Sequence, residues 1–181
     1  ALATGSGGEL ASPATLTGKI KLDASGQMQC SSCHDPHDNT IDKFLVMSNT
    51  ASALCVTCHT KAGWSTSSHA TSPATWTATG TDPWPHTSEV TAAANACENC
   101  HQPHTAAGKA RLLNSAADEA NCYTCHTGTV AGKTAPVKNM QSEMTKISGH
   151  AVGSYTGLHD AAEANLATNR HVECADCHNP H

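Results

Sequence analysis

The residues able to do chemistry in this chain fall into one pattern, repeated five times. Two cysteines stand three positions apart and a histidine follows the second. The copies are Cys30-Ser31-Ser32-Cys33-His34, Cys55-Val56-Thr57-Cys58-His59, Cys97-Glu98-Asn99-Cys100-His101, Cys122-Tyr123-Thr124-Cys125-His126 and Cys174-Ala175-Asp176-Cys177-His178. Together they use all 10 cysteines of the 181-residue chain. In one turn of helix, positions i, i+3 and i+4 project from the same face. Two thiols so placed can reach both vinyl groups of one porphyrin, and the histidine sets an imidazole nitrogen beneath the iron. Cys-x-x-Cys-His is accordingly the attachment signature of haem c. A zinc site would need pairs of Cys-x-x-Cys half-sites, and five is odd. A disulfide framework would leave the fivefold histidine without a role. The expectation is five covalently attached haem c groups, each with its motif histidine as proximal ligand.

The second axial ligand decides what such haems do. An iron held by two imidazoles has no open position for substrate and serves electron transfer. Of the 13 histidines, eight lie outside the motifs: His37, His69, His86, His104, His150, His159, His171 and His181. Five irons need five of them, and the surplus argues against an open, catalytic haem. His37 and His104 head the candidates, because Pro36 and Pro103 end the helical turn and swing the second imidazole away from its own haem. Their expected recipients are the motifs 25 residues on, so that His37 would serve the haem of His59 and His104 that of His126. His150, in a glycine-flanked loop, follows, then His171, His69, His181 and His86, each with an ordinary structural role as its alternative. His159 reads as a surface or propionate-bonding residue. His181 ends a His-x-Pro-His run with no later motif to serve, and the first haem has no histidine upstream of it. One reading gives His181 to a haem of an adjacent molecule; repeated head to tail without closure, that contact makes a filament. The alternatives are that it folds back onto an internal haem, or that the native chain continues.

The elements that must position these groups are sparse. Aromatic residues make up 3% of the chain, too little apolar surface to offset the entropy of ordering it. The predicted fold is mostly irregular, with a few short helices, minimal strand and a five-haem core in place of a conventional hydrophobic core. The apo chain is expected to be unfolded. Each motif is expected on a short helix; 115–126 and 158–169 are further helix candidates, and 14–22 alternates weakly, like a strand. Residues 65–81, with ten Ser or Thr in 17, read as a loop, either O-glycosylated or a plain linker. Trp64, Trp76 and Trp84 are expected to pack locally, against a porphyrin edge. The chain repeats: Cys30 to Cys55 and Cys97 to Cys122 are both 25 apart, Leu45 aligns with Leu112, and Ser48 with Ser115. The predicted organisation is one domain over 1–181: a haem pair at 30–59, a linker at 60–96, a second pair at 97–126, a linker at 127–173 and a terminal haem at 174–181.

Net charge is −5, and haem propionates make it more negative. Lys109, Arg111, Lys133, Lys138 and Lys146 are scattered and form no basic patch, which argues against nucleic acid as a partner. No apolar run is long enough to span a membrane. The start, Ala1-Leu2-Ala3, reads as a mature terminus left by removal of a signal peptide, so export to the periplasm, cell surface or exterior is expected.

Gly26-Gln27-Met28-Gln29 before the first motif, the Cys30–His37 run, and Arg170-His171-Val172-Glu173 before Cys174–His181 resemble the multihaem c-type cytochromes with paired motifs. The resemblance covers 18–181 and lies mostly in the motifs. It implies electron transfer without conversion of a substrate, with other redox proteins or extracellular acceptors as partners. Some members polymerise into extracellular filaments in which a neighbouring subunit donates an axial histidine. The small size, sparse core and terminal half-repeat are similar to that subgroup, whereas the odd haem number departs from a simple repeat. A monomeric periplasmic shuttle is the first alternative. A multihaem reductase of nitrogen or sulfur oxyanions, which requires an open haem, is the second.

Overall fold

The structure, a computed structural model, describes residues 9–132, 137–150 and 172–181. The expected helix over 158–169, His159 and His171 lie outside the described residues. The described chain is mostly coil with a few short helices and one two-stranded sheet, as its composition predicts; the longest helix has six residues. Helices this short do not persist alone in water, so each depends on what it packs against. By contacts the chain divides into two units, Ala1–Ser67 with His181, and Ser68–Pro180.

In the first unit, α1 (Cys30–Cys33) and α2 (Ala53–Val56) carry the first and second motifs. The loop after α1 returns to it: Asp35 N donates to Phe44 O at 2.7 Å, Val46 N to Cys33 O at 3.0 Å, and His34 bridges Leu45. Residues 9–11 run beside the second motif through Ala11 N to Cys58 O (2.8 Å) and Thr60 N to Glu9 O (2.9 Å). The strand expected over 14–22 does not form. Pro13 opens a 3-10 turn, Pro13–Thr15, with Thr15 Oγ1 bonded to Ser12 O, and Gly18 reverses the chain at φ 74. Proline pre-sets the turn and offers no N–H to a ladder. Ile20 alone of the segment is buried.

Ion pairs supplement this thin packing. Lys61 pairs with Glu9, and Lys19 with Asp38. The Lys19 ammonium, with the Thr40 hydroxyl and amide, holds the Asp38 carboxyl far below the usual carboxylate range. A carboxyl lowered in the fold stabilises above its unfolded pKa of about 3.9 and loses that contribution as pH falls further. The first unit is therefore expected to weaken below about pH 4. Asp38→Asn should flatten the acid limb, read as the difference in denaturation midpoint between the two proteins across pH. Parallel acid limbs would show that the pair contributes nothing.

The second unit holds the sheet and the apolar cluster. Strands β1 (Thr75–Trp76) and β2 (Val130–Ala131) are antiparallel, with Thr75 opposite Ala131 and Trp76 opposite Val130. Ala74, Trp84, Ala92 and Val130 form the buried cluster, and Trp76, Cys125 and Val137 pack against it. Helix α3 (Ser68–Thr71) and β1 both fall inside 65–81, so the Ser/Thr-rich segment is not a plain linker. Its hydroxyls stitch backbone: Thr77 Oγ1 donates to Thr129 O at 2.8 Å. Thr91 Oγ1 caps α4 (Ala92–Asn95), accepting from Ala94 N at 3.1 Å, and a 3-10 turn, Ala96–Asn99, carries the chain into the third motif. The helix expected over 115–126 shortens to α5 (Asp118–Tyr123). Asn121 explains the shorter start: its amide bonds Ser115 N, Ser115 O and Ala117 O, holding those residues in a turn that competes with helix. Helices α6 (Met140–Met144) and α7 (Cys174–Cys177) complete the described elements. No helix among the described residues is long and apolar enough to cross a membrane.

The two repeats share one fold detail in a different register from the sequence alignment. His34 bridges Leu45, whereas His101 bridges Leu113. Leu45 thus corresponds to Leu113, not Leu112, because the second loop is one residue longer. Burial agrees: Leu113 is 7% exposed and Leu112 47%.

Candidate haem-attachment sites

Every motif makes the same backbone closure. The amide of His34, His59, His101, His126 and His178 donates to the carbonyl of Cys30, Cys55, Cys97, Cys122 and Cys174 respectively, at 2.9–3.0 Å. That bond is the i to i−4 bond of a helical turn, and it puts both thiols and the imidazole on one side. Four motifs start on or within α1, α2, α5 and α7, and the third on the 3-10 turn Ala96–Asn99. The residues therefore fit thioether attachment and proximal ligation of haem c. No disulfide joins any of the ten cysteines, all of which lie among the described residues. Burial pushes the thiols of Cys100 and Cys125 up to about 11 and that of Cys122 up to about 12.

Two of the motif imidazoles, those of His34 and His101, are held by a backbone carbonyl at Nδ1. His34 Nδ1 lies 2.9 Å from Lys43 O, and His101 Nδ1 lies 2.8 Å from Arg111 O. A carbonyl only accepts, so the proton sits on Nδ1, which leaves Nε2 as the nitrogen that could coordinate a metal. Both carbonyls come from strained turns. Lys43 and Phe44 have φ of 61° and 56°, and Arg111 and Leu112 have 55° and 58°. Left-handed backbone costs a non-glycine residue about 1–2 kcal/mol, and strain of this kind concentrates where function holds the chain in place. Nothing in the residue types of these turns announces them, and the sequence reading missed them.

Within each pair, the thiols of successive motifs lie near enough to act on one another electrostatically. Cys58 lies close enough to Cys33 to push its thiol up beyond the effect of burial, and Cys125 does the same to Cys100. The same two positions meet in each repeat. Cys174 lies within hydrogen-bonding reach of Cys122, so the fifth motif joins the fourth.

The remaining histidines separate by environment. His37 and His104 are exposed beyond their prolines, and His150 is exposed. His86 Nε2 is buried with no hydrogen-bond partner, while Nδ1 lies 3.4 Å from Gln102 Nε2. A buried, unpartnered ring nitrogen demands an explanation, and coordination supplies one, so this residue, ranked last from sequence, has a ligand's environment. His181 groups with the first unit, its ring 6.3 Å from that of Trp64 and near the Glu9 carboxylate, which also feels His59. In the second unit the rings of His69 and His126 stand 6.3 Å apart, centroid to centroid, at 86°. Burial lowers the pKa of His126, and His69 and His178 lower it further. Glu119, 3% exposed, has neither carboxylate oxygen hydrogen-bonded and acts on the thiol of Cys174; the sequence reading saw only a helix former there.

A family model for the doubled CXXCH motif matches residues 24–63 and 90–131. No curated protein and no solved structure matches the chain. The two matched segments are the two repeats. Doubled motifs of this kind indicate covalently bound haem c, and they support a multihaem c-type cytochrome of the electron-carrying type.

Proposed function

We propose that the protein is an exported, five-haem, bis-histidine cytochrome c that passes electrons along closely spaced haems and assembles head to tail into a conducting filament. The observation that carries the electron-transfer reading is the fivefold repetition of one closed Cys-to-His turn. When bound, haem supplies the one-electron redox chemistry. The chain's own part is mechanical and electrostatic. Paired cysteines would hold each haem, the Lys43 and Arg111 carbonyls hold the proton of the His34 and His101 rings at Nδ1, and second imidazoles would leave no position for a substrate. Without an open position the protein has no catalytic step, and the reductase alternative loses its site.

Intact mass of the exported protein should show five haem additions, and the ferrous form should bind carbon monoxide at none of them. Rapid, tight binding at one haem would favour a reductase. Negative-stain microscopy separates a filament from a monomeric shuttle, since discrete particles sink the polymer. The placement of His181 beside Trp64 in the first unit favours its service within its own chain over donation to a neighbour. In this reading other contacts hold the filament together.

A further inference from the structure

Resting on the haem reading above, we infer that His69 is the distal ligand of the haem attached at Cys122 and Cys125, trans to His126. Two observations point there. The first is spacing. Imidazole nitrogens bind first-row metals at about 2 Å and a ring centroid lies roughly 1.1 Å behind its nitrogen, so two imidazoles trans on one iron stand roughly 6 Å apart. The observed separation of the His69 and His126 rings is 6.3 Å. The second is the tautomer. His69 Nδ1 lies 3.2 Å from Pro180 O. The carbonyl can only accept, so Nδ1 carries the proton and Nε2 keeps a lone pair. The same device orients His34 and His101, and it is the usual outer support of a metal-bound histidine. An edge-to-face ring pair spans about 4.5–7 Å as well, but it has no need of a proton parked on Nδ1.

The local sequence explains how His69 arrives. Helix α3 is a single turn, Ser68–Thr71, and Ser72 and Pro73 end it before β1. The strand then pairs with β2, which follows the fourth motif directly. Sheet pairing thus carries α3 and the fourth motif in together, which their sequence separation hides. His104, expected from its proline to take this iron, becomes available to another one.

The test uses the full haem-loaded protein with His69→Ala and His104→Ala, compared by intact mass, ferric electron paramagnetic resonance and carbon monoxide binding of the ferrous form. With His69→Ala, the haem count should equal wild type. One haem of the five should become high-spin and bind carbon monoxide, and added imidazole should restore it to low spin. Because the rings are perpendicular, the low-spin signal lost should be a strongly anisotropic one. A fully loaded His69→Ala protein with every haem still low-spin overturns the assignment, as does conversion of that signal by His104→Ala instead. Where the alanine variant loses haem, His69→Met supplies a thioether at the same place. One haem with a raised potential then supports the assignment, and five unchanged potentials overturn it. Wild-type protein without added porphyrin mass would refute the haem reading itself, a result distinct from either.

Discussion

Made without haem attachment, this chain is expected to show no cooperative unfolding transition. Among the described residues the buried apolar set is Ile20, Ala74, Trp84, Ala92, Ala96, Ala106, Leu113 and Val130, half of it alanine. Burying a large aliphatic or aromatic side chain stabilises by about 1.5–3 kcal/mol. Ordering the backbone costs roughly 1–2 kcal/mol for each residue. Four large buried side chains cannot offset the ordering of a chain this long. In the proposed reading, porphyrins attached at the ten cysteines would supply the missing apolar area, and their binding energy would become folding energy. The experiment compares exported, haem-loaded protein with a form in which all ten cysteines are replaced by serine. The second should give a coil-like far-ultraviolet circular dichroism spectrum, no thermal midpoint and rapid digestion by a nonspecific protease. The loaded form should resist the same protease under the same conditions. A sigmoidal melt of the haem-free chain would show that the polypeptide holds itself together, and would remove the reason for its aromatic poverty.

The attachment sites were legible because their chemistry depends on local spacing alone. Once its packing holds the turn, the spacing of Cys30, Cys33 and His34 alone sets their alignment, so five residues of text state the geometry. Composition likewise announced a coil-rich fold, since so few large apolar residues can support only short elements. Long-range choices were not legible in the same way. The weak alternation over 14–22 suggested a strand, but Pro13 and Gly18 turn the chain there. The Ser/Thr-rich stretch 65–81 looked like a linker because hydroxyl residues suit loops. Threonine also suits strands, and β1 found its partner in β2, more than 50 residues away. The Leu45–Leu113 correspondence was hidden by a single added residue, which an ungapped alignment cannot show. The second-ligand histidines are the hardest case. Ligation needs two side chains from distant segments, and the proline rule that favoured His37 and His104 says where a ring points away from, not where it lands. His69 and His86, ranked low, have the ligand-like surroundings: a carbonyl on Nδ1 in one, an unpartnered buried Nε2 in the other.

Trp84 is the largest buried apolar side chain among the described residues, and its loss should be the most damaging single substitution outside the haem motifs. It is 4% exposed and sits with Ala74, Ala92 and Val130. Its indole Nε1 donates to Asn99 Oδ1 at 2.7 Å. Asn99, between the two cysteines of the third motif, donates in turn to Ala92 O at 2.8 Å and Ala96 O at 2.6 Å. Trp84 therefore ties the apolar cluster, against which Cys125 of the fourth motif packs, to the inside of the third. Trp84→Ala empties an indole-sized volume among neighbours too small to fill it, and should cost about 3–5 kcal/mol, a large share of a typical stability of 5–15 kcal/mol. Trp84→Phe keeps most of the volume but leaves Asn99 Oδ1 buried without its donor, a penalty of about 1–3 kcal/mol. Guanidinium unfolding of the haem-loaded proteins, followed by Soret dichroism, should rank wild type above phenylalanine and phenylalanine above alanine. The alanine variant should also disturb the bands of the third and fourth haems before it unfolds, because the Asn99 and Cys125 contacts loosen together. A cost for alanine within about 0.5 kcal/mol of wild type, the range of an ordinary surface change, would mean that the porphyrins alone hold this unit and that the indole is a passenger.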